Sequence, residues 1–337
     1  MPVPDGTETT AGPQPGGLHI RVLRPGLATT VQDGGRTGWR SFGVGAAGAL
    51  DRYSLAIGNH LVGNAIDAAA VEISLSGPSL HFDRPARIAL TGAEIDAQAN
   101  GRAIPGWRPI DLPAATTLDL GHCRKGARAY LCLAGSLPLP RVLGSSSTDL
   151  RGGFGGMRGR PLASGDILPA WAGPNLACTE PSFPTWWIDP SPDIDFHRST
   201  VARLLPGRDS LTTPEALYNT GWRIAATSDR QALRLDGPAL AVHAPGERIS
   251  EPVAPGTVQL PPDGHPIILL ADAQTIGGYP RIGHIIAADL PRLAQLRPGS
   301  SLHLIATDHD QGWRLEQQQR ARLARIGYAI AARIGRR

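Results

Sequence analysis

Apolar and polar residues alternate in many short runs along this chain, a pattern typical of β-strands with one buried face. The first run, LHIRVL at residues 18–23, ends at Pro25-Gly26, and similar runs follow between residues 71 and 168 and again between 199 and 305. Residues 267–270 (IILL) are four consecutive apolar residues between turn signals, which predicts a buried strand. The pattern therefore predicts a mainly β fold of short strands.

Only two segments show a helical pattern. In residues 50–62, Tyr53, Ile57 and Leu61 lie on one helical face, and Gly63 is placed to end the helix. Residues 313–334 predict an amphipathic C-terminal helix with arginines on its polar side. The composition agrees with few helices, because the chain has one lysine and is rich in turn formers, with 41 glycines and 31 prolines.

A weak internal repeat predicts two similar halves. The run SLSGPSL at residues 74–80 is echoed by RLDGPAL at residues 234–240. A proline-rich stretch beginning at residue 172 separates the halves and predicts a linker. We therefore divide the chain into five parts: a disordered tail 1–17, a first domain 18–171, a linker 172–198, a second domain 199–309 and a C-terminal helix 310–337.

Charge and cysteine content exclude several classes of protein. The net charge is +4 without a concentrated basic stripe, so nucleic-acid binding is not expected. Three cysteines without a CxxC pair indicate neither a disulfide framework nor a zinc site, and we predict no bound metal on this chain alone. The strand runs are too short to span a bilayer, and the N-terminus lacks a secretory signal pattern; we predict a cytoplasmic protein without a membrane contact.

Short motifs leave the chemistry open. Residues 43–48 match GxGxxG, but no apolar strand precedes them, so a dinucleotide fold is not predicted. The glycine-rich run 152–160, with Arg158 and Arg160, fits either an anion-binding nest or a hairpin tip. Six carboxylates are candidate acid–base groups, although each also fits a cap or turn. They are Asp33, Asp51, Glu72, Asp229, Asp263 and Asp272.

Three longer segments resemble a known family. Residues 25–64, 142–150 (VLGSSSTDL) and 261–299 resemble the C subunit of the ATP-hydrolysing 5-oxoprolinase, a family also labelled allophanate hydrolase subunit 2. The family is similar to part of the carboxyltransferase domain of urea carboxylase, and the resemblance covers about residues 18–309.

The resemblance implies a fold and an activity. The expected fold is two tandem cyclophilin-like β-barrel domains with a few short helices and a C-terminal helix. The expected activity is that of a hydrolase acting on a cyclic amide: one component of a complex that opens 5-oxoproline to L-glutamate at the expense of ATP. The partners would be proteins like the A and B subunits of 5-oxoprolinase, with ATP and magnesium shared with a partner.

The same segments supply the candidate site. Because lactam activation generates negative charge and the substrate carries a carboxylate, we expect arginine and polar strand-end residues around it. We predict that two loops distant in sequence form one cleft, and that replacing Arg36 by alanine impairs ligand binding more than folding. The predicted catalytic residues are Asp272 and Asp33, and the predicted substrate-binding residues are Arg36, Gln32, Gln274, Tyr279, Gly277 and Gly278.

Two alternatives remain open. The chain is also consistent with a biotin-dependent carboxyltransferase component acting on urea or a similar amide; since Arg124 precedes the single lysine, Lys125, the biotin would arrive on another protein. The second alternative is a non-catalytic regulatory binding module. It is favoured by departures from the family pattern, which has arginine in place of Ser146 and threonine in place of Ile276.

Overall fold

The computed structural model describes residues 17–171, 176–191, 193–194, 196, 199–243 and 249–334. The predicted tail 1–17 lies outside these residues except for Gly17, as does part of the predicted linker 172–198. The domain boundaries at residues 171 and 199 stay a prediction, because buried contacts join the two sheets described below.

The first half of the chain forms one nine-stranded sheet. Its backbone path runs in the order β2-β3-β8-β4-β1-β9, and β5 pairs with β8, β7 and β6. The strands are β1 Leu18–Arg24, β2 Ala28–Gln32, β3 Ala70–Ser74, β4 Ser79–Phe82, β5 Ala86–Ala99, β6 Arg102–Ala103, β7 Pro109–Leu112, β8 Thr116–Leu133 and β9 Ile167–Ala170.

Alternation along these strands builds the first core. In β1, Leu18, Ile20 and Val22 are buried, whereas Arg21 between them is exposed, as the sequence pattern predicts. All five residues of β3 are buried, because this central strand is covered on both faces. One face packs into the main hydrophobic core, and the other packs beneath helix α1, Arg52–Leu61.

The second half forms a closed seven-stranded barrel in the order β10-β17-β14-β15-β12-β11-β18, closed by the parallel pair β18 and β10. Its strands are β10 Ser199–Pro206, β11 Gly221–Ile224, β12 Ala232–Asp236, β14 Thr257–Gln259, β15 Ile267–Leu269, β17 Arg281–Ile285 and β18 Ser301–Ala306. Outside the barrel, β13, Glu251–Pro252, pairs with β16, Ile276–Gly277, in a small two-stranded sheet that we call the β13–β16 pair; β14 and β15 lie between these two strands in the chain. Trp222 and Ile268 are fully buried in the barrel core, so the predicted buried strand at residues 267–270 is confirmed.

The described helices besides α1 are α2 Pro214–Asn219, α3 Leu290–Ala294 and α4 His309–Ile334, with 3₁₀ turns at Arg40–Phe42 and Ala287–Asp289. Helices α3 and α4 contact α1 at the seam between the two sheets, whereas α2 packs against β18 of the barrel. Both predicted helices are confirmed. In α1, Tyr53, Ile57 and Leu61 are buried, and the Asp51 side chain accepts a hydrogen bond from the Ser54 amide as the N-terminal cap. None of the described helices has the length and apolar character needed to cross a membrane.

The observed fold is mainly β with a half-barrel and a closed barrel, few helices and a long C-terminal helix. Closure is seen in the second sheet, so the expected barrel is present there. In the described residues the first sheet stays open, with β2, β9, β6 and β7 as its outermost strands, so the expectation of a barrel in the first half is corrected to a half-barrel. The edge of β2 is covered by loop residues: the Thr148 amide donates to the Val31 carbonyl and the Leu162 amide to the Thr29 carbonyl. This loop carries the VLGSSSTDL segment to the seam, where the candidate site lies.

Candidate functional site

The two distant loops predicted from the sequence meet at the seam between the sheets. The β2–α1 loop contributes Arg40, whose Nη2 donates to the main-chain oxygens of Val253 and of Gln274, the latter at 3.4 Å. Gly48, at the other end of that loop, accepts a hydrogen bond of 2.7 Å from Arg230 Nη2. The glycine is required there, because a Cβ on Gly48, which has φ of 89°, would lie 2.8 Å from Gly35 Cα.

Arg230 is the centre of a buried ionic cluster. Its Nε and Nη2 donate to the two carboxylate oxygens of Asp272 at 2.8 and 2.9 Å, and its Nη1 pairs with Glu72. Burial alone would lower the pKa of Arg230, but the two carboxylates raise it above its usual range. The cluster therefore joins a strand of the first sheet to two loops of the barrel through a permanently charged guanidinium.

Hydrogen bonds continue this cluster into helix α1. Tyr130 donates from its hydroxyl to Glu72 Oε2 at 2.8 Å and accepts from the Asp51 amide at 2.8 Å. The Asp51 carboxylate accepts from Gln295 Nε2 at 2.7 Å and from Ser54. Burial raises the pKa of Asp51 to about 6, and the hydrogen bonds from Ser54 and Gln295 oppose the shift.

Gln32 and Asp33 are held by the VLGSSSTDL segment. The Asp33 carboxylate accepts hydrogen bonds of 2.6 Å each from the Ser145 hydroxyl, the Ser146 amide and the Ser147 hydroxyl. Gln32 donates to the Thr148 carbonyl at 3.2 Å and accepts from the Gly48 amide at 3.1 Å. These contacts explain why the two segments occur together, and the catalytic role of Asp33 stays a prediction.

Arg36 is buried, with 1 % of its surface exposed. Its Nε donates to the Val142 carbonyl at 3.2 Å, its Nη2 donates to the Ser147 carbonyl, and its guanidinium lies 4.6 Å from the ring centre of Phe154. Nη1 has no hydrogen-bond partner among the described residues. Burial lowers the pKa of Arg36, with Asp149 the largest opposing influence. Arg36 therefore ties the β2–α1 loop to the connection between β8 and β9. That its replacement by alanine impairs ligand binding more than folding stays a prediction.

The glycine-rich run 152–160 uses its amides internally. The amides of Arg151 and Gly152 donate to Asp149 Oδ1, and those of Gly153, Gly156 and Gly159 donate to main-chain carbonyls of the same region. Arg160 pairs with Asp166 through two hydrogen bonds of 2.7 and 2.8 Å. Of the two interpretations left open by the sequence, this geometry favours the turn over the anion-binding nest.

The predicted substrate-binding side chains divide between two cavities. Gln274 and Tyr279 line a cleft of about 910 Å³ on the outer face of β12 and β15, with Ile267 and Leu269 among its walls. Arg36 lines a second cavity of about 340 Å³ between the β2–α1 loop, the barrel and α4. The loops meet, but their side chains are not brought into one cleft.

Comparison with known proteins identifies the family. Residues 42–306 match the family described as "Carboxyltransferase domain, subdomain A and B". The chain belongs to this carboxyltransferase-domain family. It is 35 % identical to the C subunit of the Escherichia coli 5-oxoprolinase over 324 residues, which cover 92 % of this chain and 98 % of that protein. It is also 35 % identical to the C subunit of the Haemophilus influenzae 5-oxoprolinase, covering 91 % of this chain and 97 % of that protein.

A solved urea carboxylase structure shares the fold. The crystal structure of the Kluyveromyces lactis urea carboxylase superposes with a TM-score of 0.84 and 28 % identity. The match covers 94 % of this chain and 30 % of that chain, so the present chain spans less than a third of that larger protein. The family resemblance inferred from the sequence segments is therefore confirmed.

The carboxyltransferase match includes residues that motif reasoning missed. Arg230, the centre of the ionic cluster, lies in the matched range, as does Gln259 in β14. Neither carries a local sequence signal, because each acquires its neighbours only through tertiary contacts. Gly277-Gly278 was the available hint: a Cβ on Gly277 would lie 2.7 Å from Gln259 Nε2, which indicates a close approach. The roles of Asp272, Gln274, Tyr279, Gly277 and Gly278 stay predictions.

Proposed function

We propose that this chain is the C subunit of an ATP-dependent 5-oxoprolinase, the enzyme that opens the lactam of 5-oxoproline to give L-glutamate. The observation that carries the proposal is end-to-end coverage: the match to the E. coli protein includes 92 % of this chain and 98 % of that protein. A shared domain inside an otherwise different protein would not produce that result. The proposed partners are A-like and B-like 5-oxoprolinase proteins, since a C subunit implies a complex with others.

The proposed chemistry is divided between this chain and its partners. A lactam carbonyl resists water, and ATP would supply the phosphoryl group that activates it. Within the described residues, no group of three or more His, Cys, Asp or Glu side chains is arranged for a metal ion, and several amides of the glycine-rich run 152–160 are bonded within their own region. These observations support the proposal that ATP and magnesium are held by, or shared with, a partner protein.

This chain would bind and orient the substrate. Gln274 and Tyr279 are polar groups on an open cleft, and Tyr279 is 46 % exposed, so both can reach a small polar ligand. Asp272 is not among the residues that line this cleft, and both of its oxygens are bonded to Arg230, so its proposed acid–base role requires that ion pair to open.

We also propose a cytoplasmic location, where ATP is available, and a cyclophilin-like fold for both halves. The repeat supports that fold, since Gly77-Pro78 follows β3 and Gly237-Pro238 follows β12.

Reconstitution tests the function directly. The chain is co-expressed with the A-like and B-like proteins, and the mixture is separated by size-exclusion chromatography. We expect a single complex that forms glutamate from 5-oxoproline in proportion to the ADP released, with no turnover by this chain alone. Separate elution at micromolar concentration, or a complex without turnover, contradicts the proposal.

A carboxyltransferase function is the second candidate, favoured by the fold match to the K. lactis urea carboxylase. In that case biotin would be required and would arrive on a carrier protein. The same preparation is therefore assayed with a carboxybiotin-bearing carrier and urea. Carboxyl transfer without ATP-dependent glutamate formation would favour this candidate, and ligand binding without either reaction would favour a regulatory module.

A further inference from the structure

Gln259 is a buried amide for which the described part of the chain provides no hydrogen-bond partner. The residue lies in β14 and is 0 % exposed, yet neither its Oε1 nor its Nε2 has a hydrogen-bond partner among the described residues. The large majority of buried polar side-chain atoms in proteins have a hydrogen-bond partner, and leaving one without a partner lowers the stability of the fold. An amide with both a free donor and a free acceptor is therefore a group whose partner is absent.

The amide lies next to the large cleft. Val258 points into the barrel core, so Gln259 and its cross-strand neighbour Ile267 face outward, and Ile267 lines the cleft. Gly277 covers the amide so closely that a Cβ at that position would lie 2.7 Å from Nε2. Tyr279, two residues further along, is part of the cleft wall. Gln259 is not itself among the residues that line the cleft, and Gly277 of β16 lies over its amide.

Arg40, whose Nη1 has no partner among the described residues, lies beside the β13–β16 pair. Arg40 Nη1 is buried without a partner among the described residues, while Nη2 donates to the carbonyls of Val253 and Gln274. Val253 directly follows β13, and its amide donates to the Thr275 carbonyl at 3.0 Å, just before β16. The Gln259 amide therefore lies beneath β16, and the Arg40 guanidinium lies at the base of the β13–β16 pair.

The β13–β16 pair is short. It consists of two residue pairs, Glu251 with Gly277 and Pro252 with Ile276. An isolated pair of strands this short has little stability of its own. Besides the contacts of Arg40 at its base, Glu251 anchors it by pairing with Arg281 and, at 3.0 Å, with Arg208. These side chains are from a third to nearly two thirds exposed, so the ion pairs of Glu251 stabilise the strand pair only weakly.

We propose that the β13–β16 pair is a movable cover over a subsite for a cyclic amide that bears a carboxylate. In this subsite Gln259 binds the amide and Arg40 binds the carboxylate. A lactam is a cis amide, so its N–H and C=O project from the same edge. The Gln259 side chain presents an acceptor and a donor in the complementary order, which allows two parallel hydrogen bonds. Arginine is suited to carboxylates through its forked donors. The identity of the ligand as 5-oxoproline rests on the proposed function.

The reconstituted complex tests the subsite with matched variants. Gln259→Leu and Gln259→Met remove both hydrogen-bonding atoms and keep the side chain's bulk. Loss of two neutral hydrogen bonds is expected to raise KM for 5-oxoproline about 10- to 100-fold, with a smaller change in kcat. Because an unbonded buried amide is removed, Tm is expected to stay the same or rise. Gln98→Leu, on an exposed position of β5, is the control and should change neither quantity.

A second arm separates the two proposed contacts. 2-Pyrrolidone is a lactam without a carboxylate, and urea presents N–H and C=O groups without a ring or a carboxylate. Both are used as competitors of 5-oxoproline. In Gln259→Leu, inhibition by both should weaken as well. In Arg40→Met, KM for 5-oxoproline should rise, whereas inhibition by 2-pyrrolidone should be retained.

The outcomes distinguish this inference from the proposed function. If the wild-type complex turns over 5-oxoproline and Gln259→Leu has a KM within about twofold of it, the subsite is wrong and the function stands. A fall of Tm by more than about 5 °C in both Gln259 variants shows that the amide is bonded in the fold, and also overturns the inference. If the wild-type complex has no turnover, calorimetric binding of 5-oxoproline, 2-pyrrolidone and urea to the full chain decides. Binding that Gln259→Leu abolishes supports the subsite, and absence of binding rejects it.

Discussion

Gln295 and Gln259 are both buried glutamines of the second half of the chain, yet their surroundings are opposite. Gln295 makes four hydrogen bonds: Oε1 accepts from the amides of Ala127 and Arg128, and Nε2 donates to Asp51 and to the Arg128 carbonyl. Gln259 makes none among the described residues. The first amide joins the two sheets, and the second is left free beside a cleft.

The two arginines of the seam repeat the contrast. Arg230 directs its donors at Asp272, Glu72 and the Gly48 carbonyl, whereas Arg40 leaves Nη1 unpaired within the described part of the chain. A buried polar group that is fully bonded specifies how the halves dock, and one that is unbonded carries a cost that a ligand can remove. The difference separates residues expected to control stability from residues expected to control binding.

The largest effect is expected for Arg230→Ala. Removing the guanidinium leaves Glu72 and Asp272 buried without their counter-ion, which typically costs about 3–5 kcal/mol. Urea denaturation should show this fall in the free energy of unfolding. The control is Arg223→Ala, an exposed arginine of β11, which should change it by less than about 0.5 kcal/mol. Equal stability of the two variants would refute the structural role of the cluster.

Stability should fall as pH rises through the titration of Asp51. Its pKa is raised by burial from 3.8 to about 6, so between these values the folded protein holds the proton more tightly than the unfolded chain. The contribution to the free energy of unfolding is expected to decrease by about 2 kcal/mol from pH 4 to pH 7. Denaturation at several pH values should show that Asp51→Asn lacks this component. Asp236→Asn, exposed on β12, should retain it; equal slopes in both variants would contradict the assignment.

Gln295→Leu should destabilise the chain, in contrast to Gln259→Leu. It leaves buried amides of Ala127 and Arg128 without an acceptor, at a cost of about 2 kcal/mol. Thermal unfolding of the two variants, recorded side by side, measures the difference. If both variants lose the same stability, the distinction between bonded and unbonded amides is removed.

The smallest effect is expected for Glu251→Gln. Its ion pairs with Arg281 and Arg208 are partly exposed, so their loss should cost less than about 1 kcal/mol. Hydrogen exchange at Ile276 and Gly277 should become a few-fold faster, because the β13–β16 pair opens more often. Glu316→Gln, which breaks a helical pair with Arg320 in α4, is the control. Unchanged hydrogen exchange in the β13–β16 pair would show that Glu251 does not stabilise it.

Local pattern was a reliable guide to individual elements. Tyr53, Ile57 and Leu61 predicted a helix with one buried face, and all three are buried in α1. The residues IILL predicted a buried strand, and β15 occupies three of those positions. Such predictions succeed because a strand or helix must place its apolar residues at a fixed period to bury them.

Loop residues were the hardest to interpret. Arg36 occurs in a polar, glycine-rich segment, which is typical of exposed positions. Its burial depends on Phe154 and on the Ser147 carbonyl, which come from more than a hundred residues away. Asp272 follows a strand and fits a catalytic position, but its ion pair with Arg230 arises from packing between two loops. No local pattern encodes a contact of that kind.

The amino-acid sequence by itself determined the mainly β class, the two predicted helices and, through three long segments, the family. Each of these depends on local periodicity or on residues contiguous in the chain. Only the tertiary structure decided that one sheet closes and the other stays a half-barrel and that Arg230 is enclosed by carboxylates. It also decided that, within the described residues, Gln259 and Arg40 keep unbonded atoms beside the β13–β16 pair. The physical reason is that bonding of a buried polar atom depends on groups brought near it by folding, which its neighbours in sequence do not specify.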